Sequence, residues 1–280
     1  MKVVVLGSGG FGYPLVFCNC ENCNTARALG GKNIRKRASV LINDEMIIDL
    51  TADTNVAMSM YNKNMANVKY LLQTHTHLDH FDINHFTSLD YKYATNRTDN
   101  LNLICSSLAF KDINEKANQY DKMNLFNQDY LNKIKLQPLN LNHGESLKID
   151  NYEIKAIHCN HHNELGAQNY LIKYNNKTLL YATDTPMISA TALNQLKGEK
   201  IDCLLLDESF GKNDYMVTHL NLNGFVEYIE KLKNNNLLDT DCQIYATHIT
   251  HDGNPCHEEL ENILKDYGCH ASFDGMEIIL

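Results

Sequence analysis

The chain has 280 residues, of which 44% are hydrophobic and 21% charged, with 25 basic against 34 acidic side chains and a formal net charge of −9. That composition supplies a sizeable core and excludes wholesale disorder. The acidic balance argues against a broad nucleic-acid-binding surface, so no stable nucleic-acid partner is expected. No apolar run approaches the roughly 20 residues of a membrane-spanning helix, so no membrane partner is expected either. Met1–Gly7 is too short and too soon broken by glycine to be a secretion signal. With nine cysteines and no such signal, a reducing, cytoplasmic setting is the expectation.

In chain order, short runs enriched in β-branched and aromatic residues predict strands at 2–6, 38–42, 46–50, 68–73, 152–157, 169–174, 178–182, 201–206, 242–247 and 277–280. Gly7-Ser8-Gly9-Gly10 reads as a tight turn rather than a nucleotide loop, because neither phosphate-binding glycine spacing is present. Two amphipathic helices are predicted. One carries Leu222, Phe225, Val226, Ile229 and Leu232 behind an Asn221 cap. The other has Asn254 as cap, Pro255 in the first turn, a stripe of Leu260, Ile263, Leu264 and Tyr267, and Gly268 at its end. Weaker helical patterns lie near 54–65, 107–118, 121–132 and 187–197, and the acidic, asparagine-rich stretch 85–135 reads as a lid. This order fits two packed sheets with helices outside, in a single domain spanning 1–280.

The chemistry concentrates in Thr74-His75-Thr76-His77-Leu78-Asp79-His80, directly after the apolar run Tyr70-Leu71-Leu72. Extended backbone sends alternate side chains to one side, so His75 and His77 converge on one point. After a turn at Leu78, Asp79 and His80 face a second point. One loop cannot complete two metal sites, and the remaining ligands are expected where polar residues terminate later strands, at His161, Asp184 and His248. His162 rivals His161, and His158 is a third option. His85 and His257 read as solvated residues.

The pattern His75-x-His77-x-Asp79-His80, followed by His161, Asp184 and His248, resembles the metallo-β-lactamase superfamily of binuclear metallohydrolases. Ile47-Ile48-Asp49 is similar to that superfamily's strand ending in aspartate, although Leu50 and Thr51 replace the usual small residue and glycine. Gly7-Ser8-Gly9-Gly10, Cys18-Asn19-Cys20-Glu21-Asn22-Cys23 and Phe273-Asp274-Gly275-Met276-Glu277-Ile278 resemble the phosphoribosyl cyclic phosphate phosphodiesterases of the carbon–phosphorus lyase pathway. The cysteine segment is also similar to the pyrroloquinoline quinone biosynthesis protein B group.

The resemblance implies an αββα sandwich with two divalent ions, zinc or manganese, at one edge. His75, His77 and His161 would hold one ion, Asp79, His80 and His248 the other, and Asp184 would bridge. It assigns His219 as the proton donor to the leaving group and Asp79 a part in the catalytic centre. It also makes Cys18, Cys20, Cys23 and His251 a structural zinc site. Three thiolates and an imidazole form a closed tetrahedral set of that kind. Cys105, Cys159, Cys203, Cys242, Cys256 and Cys269 lack such spacing and read as packing residues. A small phosphodiester is the expected substrate, and by analogy alone a homodimer the expected assembly. Two alternatives remain at this stage: a tRNA 3′-end endonuclease, and a non-hydrolytic metal-binding protein of cofactor biosynthesis. Phe210 stands where a polar residue is expected, and no arginine lies between Asp207 and His219. Lys212 is then the remaining cation there for a second phosphate.

Overall fold

The computed structural model describes residues 1–90, 93–94, 99–214 and 217–280. The chain begins with strands β1 (Lys2–Gly7), β2 (Ser39–Ile42), β3 (Met46–Ile48), β4 (Tyr70–Leu72), β5 (Leu101–Cys105) and β6 (Leu136–Asn140). A second series follows: β7 (Ser146–Ile149), β8 (Tyr152–His158), β9 (Gln168–Tyr174), β10 (Lys177–Ala182), β11 (Ile201–Asp207), β12 (Leu238–Thr247) and β13 (His270–Ala271). The last strand, β14 (Glu277–Ile279), returns to pair with β1. The helices are α1 (Glu21–Leu29), α2 (Thr54–Met60), α3 (Asn84–Thr87), α4 (Ser107–Asp121), α5 (Gln128–Ile134), α6 (Ala190–Gln195), α7 (Leu222–Asn234) and α8 (His257–Lys265).

Two seven-stranded sheets result, in the orders β14-β1-β2-β3-β4-β5-β6 and β13-β12-β11-β10-β9-β8-β7. The alternation of side chains explains why the strands read as unbroken apolar runs. Val3 and Val5 point between the sheets with Ile48, Leu72, Ile154, Tyr170 and Leu205. Val4 and Leu6 point the other way, with Leu71 and Leu103, and are covered by Ala57 and Met58 of α2 and Ala109 and Ile113 of α4. Leu204 and Leu206 of the second sheet are covered by Phe225 and Ile229 of α7 and Leu260 and Leu264 of α8. Helix, sheet, sheet and helix form the four expected layers, because each sheet has two apolar faces to bury.

Several details differ from the sequence expectation. α1 was not predicted; it starts where the Cys20 sulfur accepts the Cys23 amide as a cap. The stretch 85–135 is no lid where it is described. β5 lies inside the first sheet, and α4 and α5 pack Phe110, Ile113, Leu131 and Ile134 against it. Asn221 caps α7 by accepting the Gly224 amide, as expected. Asn254 does not cap α8, whose cap is Cys256. The Asn254 amide instead donates to the carbonyls of Glu208 and Ser209, which fixes its side chain away from the helix. His85 is half-buried, its Nε2 2.8 Å from the Thr51 carbonyl. Among the described residues no helix is long and apolar enough to cross a membrane.

His257 is buried rather than solvated, because the first turn of α8 lays it against Arg35, with Nδ1 3.1 Å from Nη2. Burial and then the guanidinium push its pKa down to about 4. The folded chain therefore binds fewer protons than the unfolded chain between pH 6.5 and 4. Stability is full above the ordinary histidine value and declines as pH falls towards about 4. The urea midpoint should fall across this window, and His257→Gln should flatten the fall; an equal slope in both proteins would refute the assignment.

Gly7 has no room for a side chain, since a Cβ there would lie 1.9 Å from the Arg37 carbonyl oxygen. Gly7→Ala should destabilise the fold by about 2 kcal/mol, the scale of an overpacked site, read as a lower urea midpoint.

Candidate metal centre

The site lies where strand ends of both sheets meet. The contributing strands end in buried, mostly apolar residues, such as Ile47-Ile48, Tyr181-Ala182 and Tyr245-Ala246, and the chain then turns sharply. Asp49, Asp184 and His248 turn through left-handed backbone, at φ of 64°, 49° and 60°. Aspartate and histidine tolerate that region better than most non-glycine residues.

The structure brings the predicted residues together. Ligand-capable atoms of His75, His77, His161 and Asp184 lie within 4.8 Å of one another, as do those of Asp79, His80, Asp184 and His248. Asp184 belongs to both groups. His75 Nε2 is 3.0 Å from His77 Nδ1, and His161 Nε2 is 3.3 Å from the same atom. His80 Nε2 and His248 Nε2 are 3.3 Å apart. Of the three candidates around position 161, His161 is the one in the cluster. His162 is exposed beside Glu164, and His158 pairs with Ser189. The difference arises because β8 ends at His158 and the chain turns so that His161 is buried.

The electrostatics suit cations. Burial and then His80 hold the His75 pKa well below its usual range, burial lowers His161 to about 4, and burial and His162 lower His77. Three neutral imidazoles beside a carboxylate form a donor set for a divalent ion. Asp184 stays ionised despite its burial because His248 and His80 outweigh that penalty. Burial likewise disfavours charge on His80, but Asp184, Asp49 and Asp79 overcome it and raise its pKa well above normal. A buried Asp79 oxygen, Oδ1, has no hydrogen-bond partner. Such an orphaned acceptor is costly unless a cation or water meets it. The residues present therefore fit metal ions.

A supporting layer was only partly legible. Asp49 Oδ2 is 2.7 Å from His80 Nδ1, and Oδ1 accepts from Thr74 and Gln73. This fixes the ring so that Nε2 faces Asp184, at 2.7 Å. Asp207 and Ser209 were missed. Asp207 Oδ2 lies 2.9 Å from His219 Nδ1, and Ser209 Oγ lies 2.8 Å from His248 Nδ1. The missed signal was the one that found Asp184: an acidic residue directly after an apolar run, here Leu204-Leu205-Leu206. His219 turns Nε2 towards Asp184, at 3.8 Å from Oδ1. Burial opposes its protonation, but Asp207 prevails and raises its pKa to about 9. Phe210 stacks edge-on against the His219 ring, at 5.5 Å between centroids. Lys212 pairs with Glu259 at 3.7 Å, both largely exposed.

A second cluster joins Cys18, Cys20, Cys23 and His251, again within 4.8 Å. His251 Nδ1 is 3.5 Å from Cys18 Sγ and 3.4 Å from Cys20 Sγ. The Cys23 amide, then His251, hold the Cys20 pKa at about 6, so a thiolate is available at neutral pH.

This fold and these strand-end clusters define a class. Residues 48–249 match the Beta-lactamase superfamily domain, and the chain belongs to that metallo-β-lactamase-fold family, whose members are mostly metal-dependent hydrolases. The crystal structure of a new diphosphatase from the PhnP family is similar at TM-score 0.74 and 22% identity, covering 99% of this chain and 96% of that one. Zinc-bound PqqB from Methylobacterium extorquens is similar at TM-score 0.72 and 15% identity, over all of both chains. At these identities the likeness is one of fold. A curated relative, coenzyme PQQ synthesis protein B of Bradyrhizobium diazoefficiens, is 48% identical over 46 residues, which is 16% of this chain and 15% of that protein's length.

Proposed function

We propose that the chain is a phosphodiesterase acting on a small cyclic phosphodiester of the phosphoribosyl cyclic phosphate kind, with two divalent ions, zinc or manganese, in the His/Asp centre. The observation that carries this reading is the Asp184 carboxylate. It is shared by two four-residue clusters and faces His219, which Asp207 orients. His75, His77 and His161 would hold one ion, Asp79, His80 and His248 the other, with Asp184 between them. Bound there, the ions would supply an activated water at neutral pH and offset charge on the phosphate. The chain's own contribution is placement and proton supply. Asp49 holds His80 in one orientation, and Asp207 holds His219 protonated with Nε2 towards the centre, where it can give its proton to a leaving alkoxide. The net charge of −9 favours a small substrate over a nucleic acid.

Hydrolysis of bis-p-nitrophenyl phosphate by protein loaded with manganese or zinc tests the reading. A rate clearly above that of His75→Ala and Asp184→Ala is expected. A rate equal to theirs would sink it, and would favour the non-hydrolytic role that the short similarity to a quinone-synthesis protein suggests.

The Cys18, Cys20, Cys23 and His251 cluster is proposed as a structural zinc site. Cys20 is exposed, so its side chain contributes little packing of its own. Cys20→Ser should nevertheless remove one zinc equivalent by elemental analysis. It should also cost at least about 2 kcal/mol of stability, or roughly 5 °C in melting midpoint. An unchanged zinc content would refute the site.

A further inference from the structure

His162 holds no place in the His/Asp cage, yet it stands at its mouth. Within the two four-residue clusters that share Asp184, His77 is the member that is only partly buried, so the centre meets solvent on the His77 side. The His162 ring lies edge-on against His77, at 4.5 Å between centroids, and 4.8 Å from the His161 ring. His219, itself only partly buried, lies 4.9 Å from the same His161 ring. The proton donor and His162 therefore border one opening. The backbone explains the placement. After β8 ends at His158, His161 turns inward, its Nδ1 3.1 Å from the Thr218 carbonyl oxygen. His162 takes left-handed backbone, at φ 40°, and its side chain faces outward. The segment is tied down on both sides: the Leu165 amide donates to the His162 carbonyl at 2.9 Å, and Ser106 Oγ donates to the Gly166 carbonyl at 2.8 Å.

A carboxylate fixes what this ring offers. Glu164 Oε1 lies 2.6 Å from His162 Nδ1. An ionised carboxylate only accepts, so Nδ1 carries the hydrogen, and the neutral ring presents a lone pair at Nε2. Among the described residues Nε2 makes no hydrogen bond. An acceptor held at the mouth of the centre calls for a donor on the substrate. An ionised phosphodiester has no hydrogen to give, whereas a ribosyl cyclic phosphate brings one: two neighbouring sugar oxygens belong to the phosphate ring, and a further hydroxyl stands on the adjoining carbon.

We propose that His162 is a specificity-determining residue: its Nε2 accepts a hydrogen bond from the sugar hydroxyl next to the cyclic phosphate, and Glu164 positions it by holding Nδ1. The inference deepens the phosphodiesterase reading and rests on it. The sugar then enters with its hydroxyl face towards His162 and its leaving oxygen towards His219.

The test compares ribose 1,2-cyclic phosphate with its 3-deoxy counterpart, which differ in that hydroxyl alone. The metal-loaded protein should favour the hydroxylated ester in kcat/KM by about tenfold, the scale of one hydrogen bond to a partly exposed acceptor. His162→Ala should bring the ratio to within about twofold. His162→Gln, whose side-chain oxygen also accepts, should keep part of it, and Glu164→Ala should lower it less than His162→Ala does. Titration calorimetry of both esters into metal-loaded His219→Ala protein, in which cleavage is slow, should show the same preference in Kd and its loss when His162→Ala is added. If calorimetry shows the preference while the wild type cleaves neither ester, the phosphodiesterase reading fails and the hydroxyl recognition stands. Equal values for the two esters in the wild type, or a preference that survives His162→Ala, would overturn the proposal. So would an equal drop for both esters with reduced metal content, which would make His162 a support for the His77 ring instead of a reader of the substrate.

Discussion

Asp184→Ala is expected to abolish hydrolysis and to empty the His/Asp centre at the same time. The carboxylate belongs to both ligand groups, with one oxygen 3.4 Å from His161 Nε2 and the other 2.7 Å from His80 Nε2 and 3.3 Å from His248 Nε2. Removing it leaves His80 facing Asp49 and Asp79, and leaves three neutral imidazoles with no shared anion. The rate should fall by about 10³-fold or more, the scale of losing a preorganised charge at the reacting centre. Bound metal, measured by elemental analysis with the cysteine cluster counted separately, should drop by at least one equivalent. Asp184→Asn keeps the shape but not the charge, so it should lose activity nearly as far while retaining the fold by circular dichroism. A variant that keeps both rate and metal would remove Asp184 from the centre altogether.

His219→Ala is expected to separate chemistry from metal binding. His219 is held by Asp207 and is protonated at neutral pH, its pKa being raised to about 9. Asn221, not His219, caps the helix that follows, so a merely structural role has little support in the geometry. Loss of a positioned proton donor costs about 10²–10⁴-fold in rate. The discriminating feature is the leaving group. An alkoxide needs the proton and p-nitrophenolate hardly does, so the defect should be large for an alkyl ester and small for a nitrophenyl one. Asp207→Asn should show the same pattern more weakly, because the ring stays but its orientation and charge are less well held. An equal loss for both leaving groups, with reduced metal content, would make His219 a ligand instead of a donor.

The dense loop from His75 to His80 was legible because four candidate ligands in six residues, after an apolar strand, leave few other readings. The strand-end rule then found His161, Asp184 and His248, whose side chains meet although they come from different strands. The same rule stopped short at Asp207, which ends β11 in the same way. Asp207 meets the cage through the ring nitrogens of His219, at 2.9 Å, and His248, at 3.8 Å, a relation that no spacing encodes. α1 was missed because its asparagines and central cysteine look like loop chemistry. A sulfur at its cap and Gly30 at its end make it a helix in context. His257 was misread for the opposite reason: its neighbours Glu258 and Glu259 are exposed, but the face of α8 that carries His257 is laid against Arg35.

The sequence by itself determined the apolar runs that need two faces covered, the ligand types available at their ends, and the cysteine triplet. Those are local properties, set by side-chain chemistry and by the two-residue period of a strand. Only the tertiary structure decided that Asp184 stands between two groups, that His161 rather than His162 turns inward, and that His162 lies edge-on against His77. These depend on left-handed turns and on strands paired across sheets, where an ångström of displacement decides which atoms meet and the spacing along the chain carries no such information.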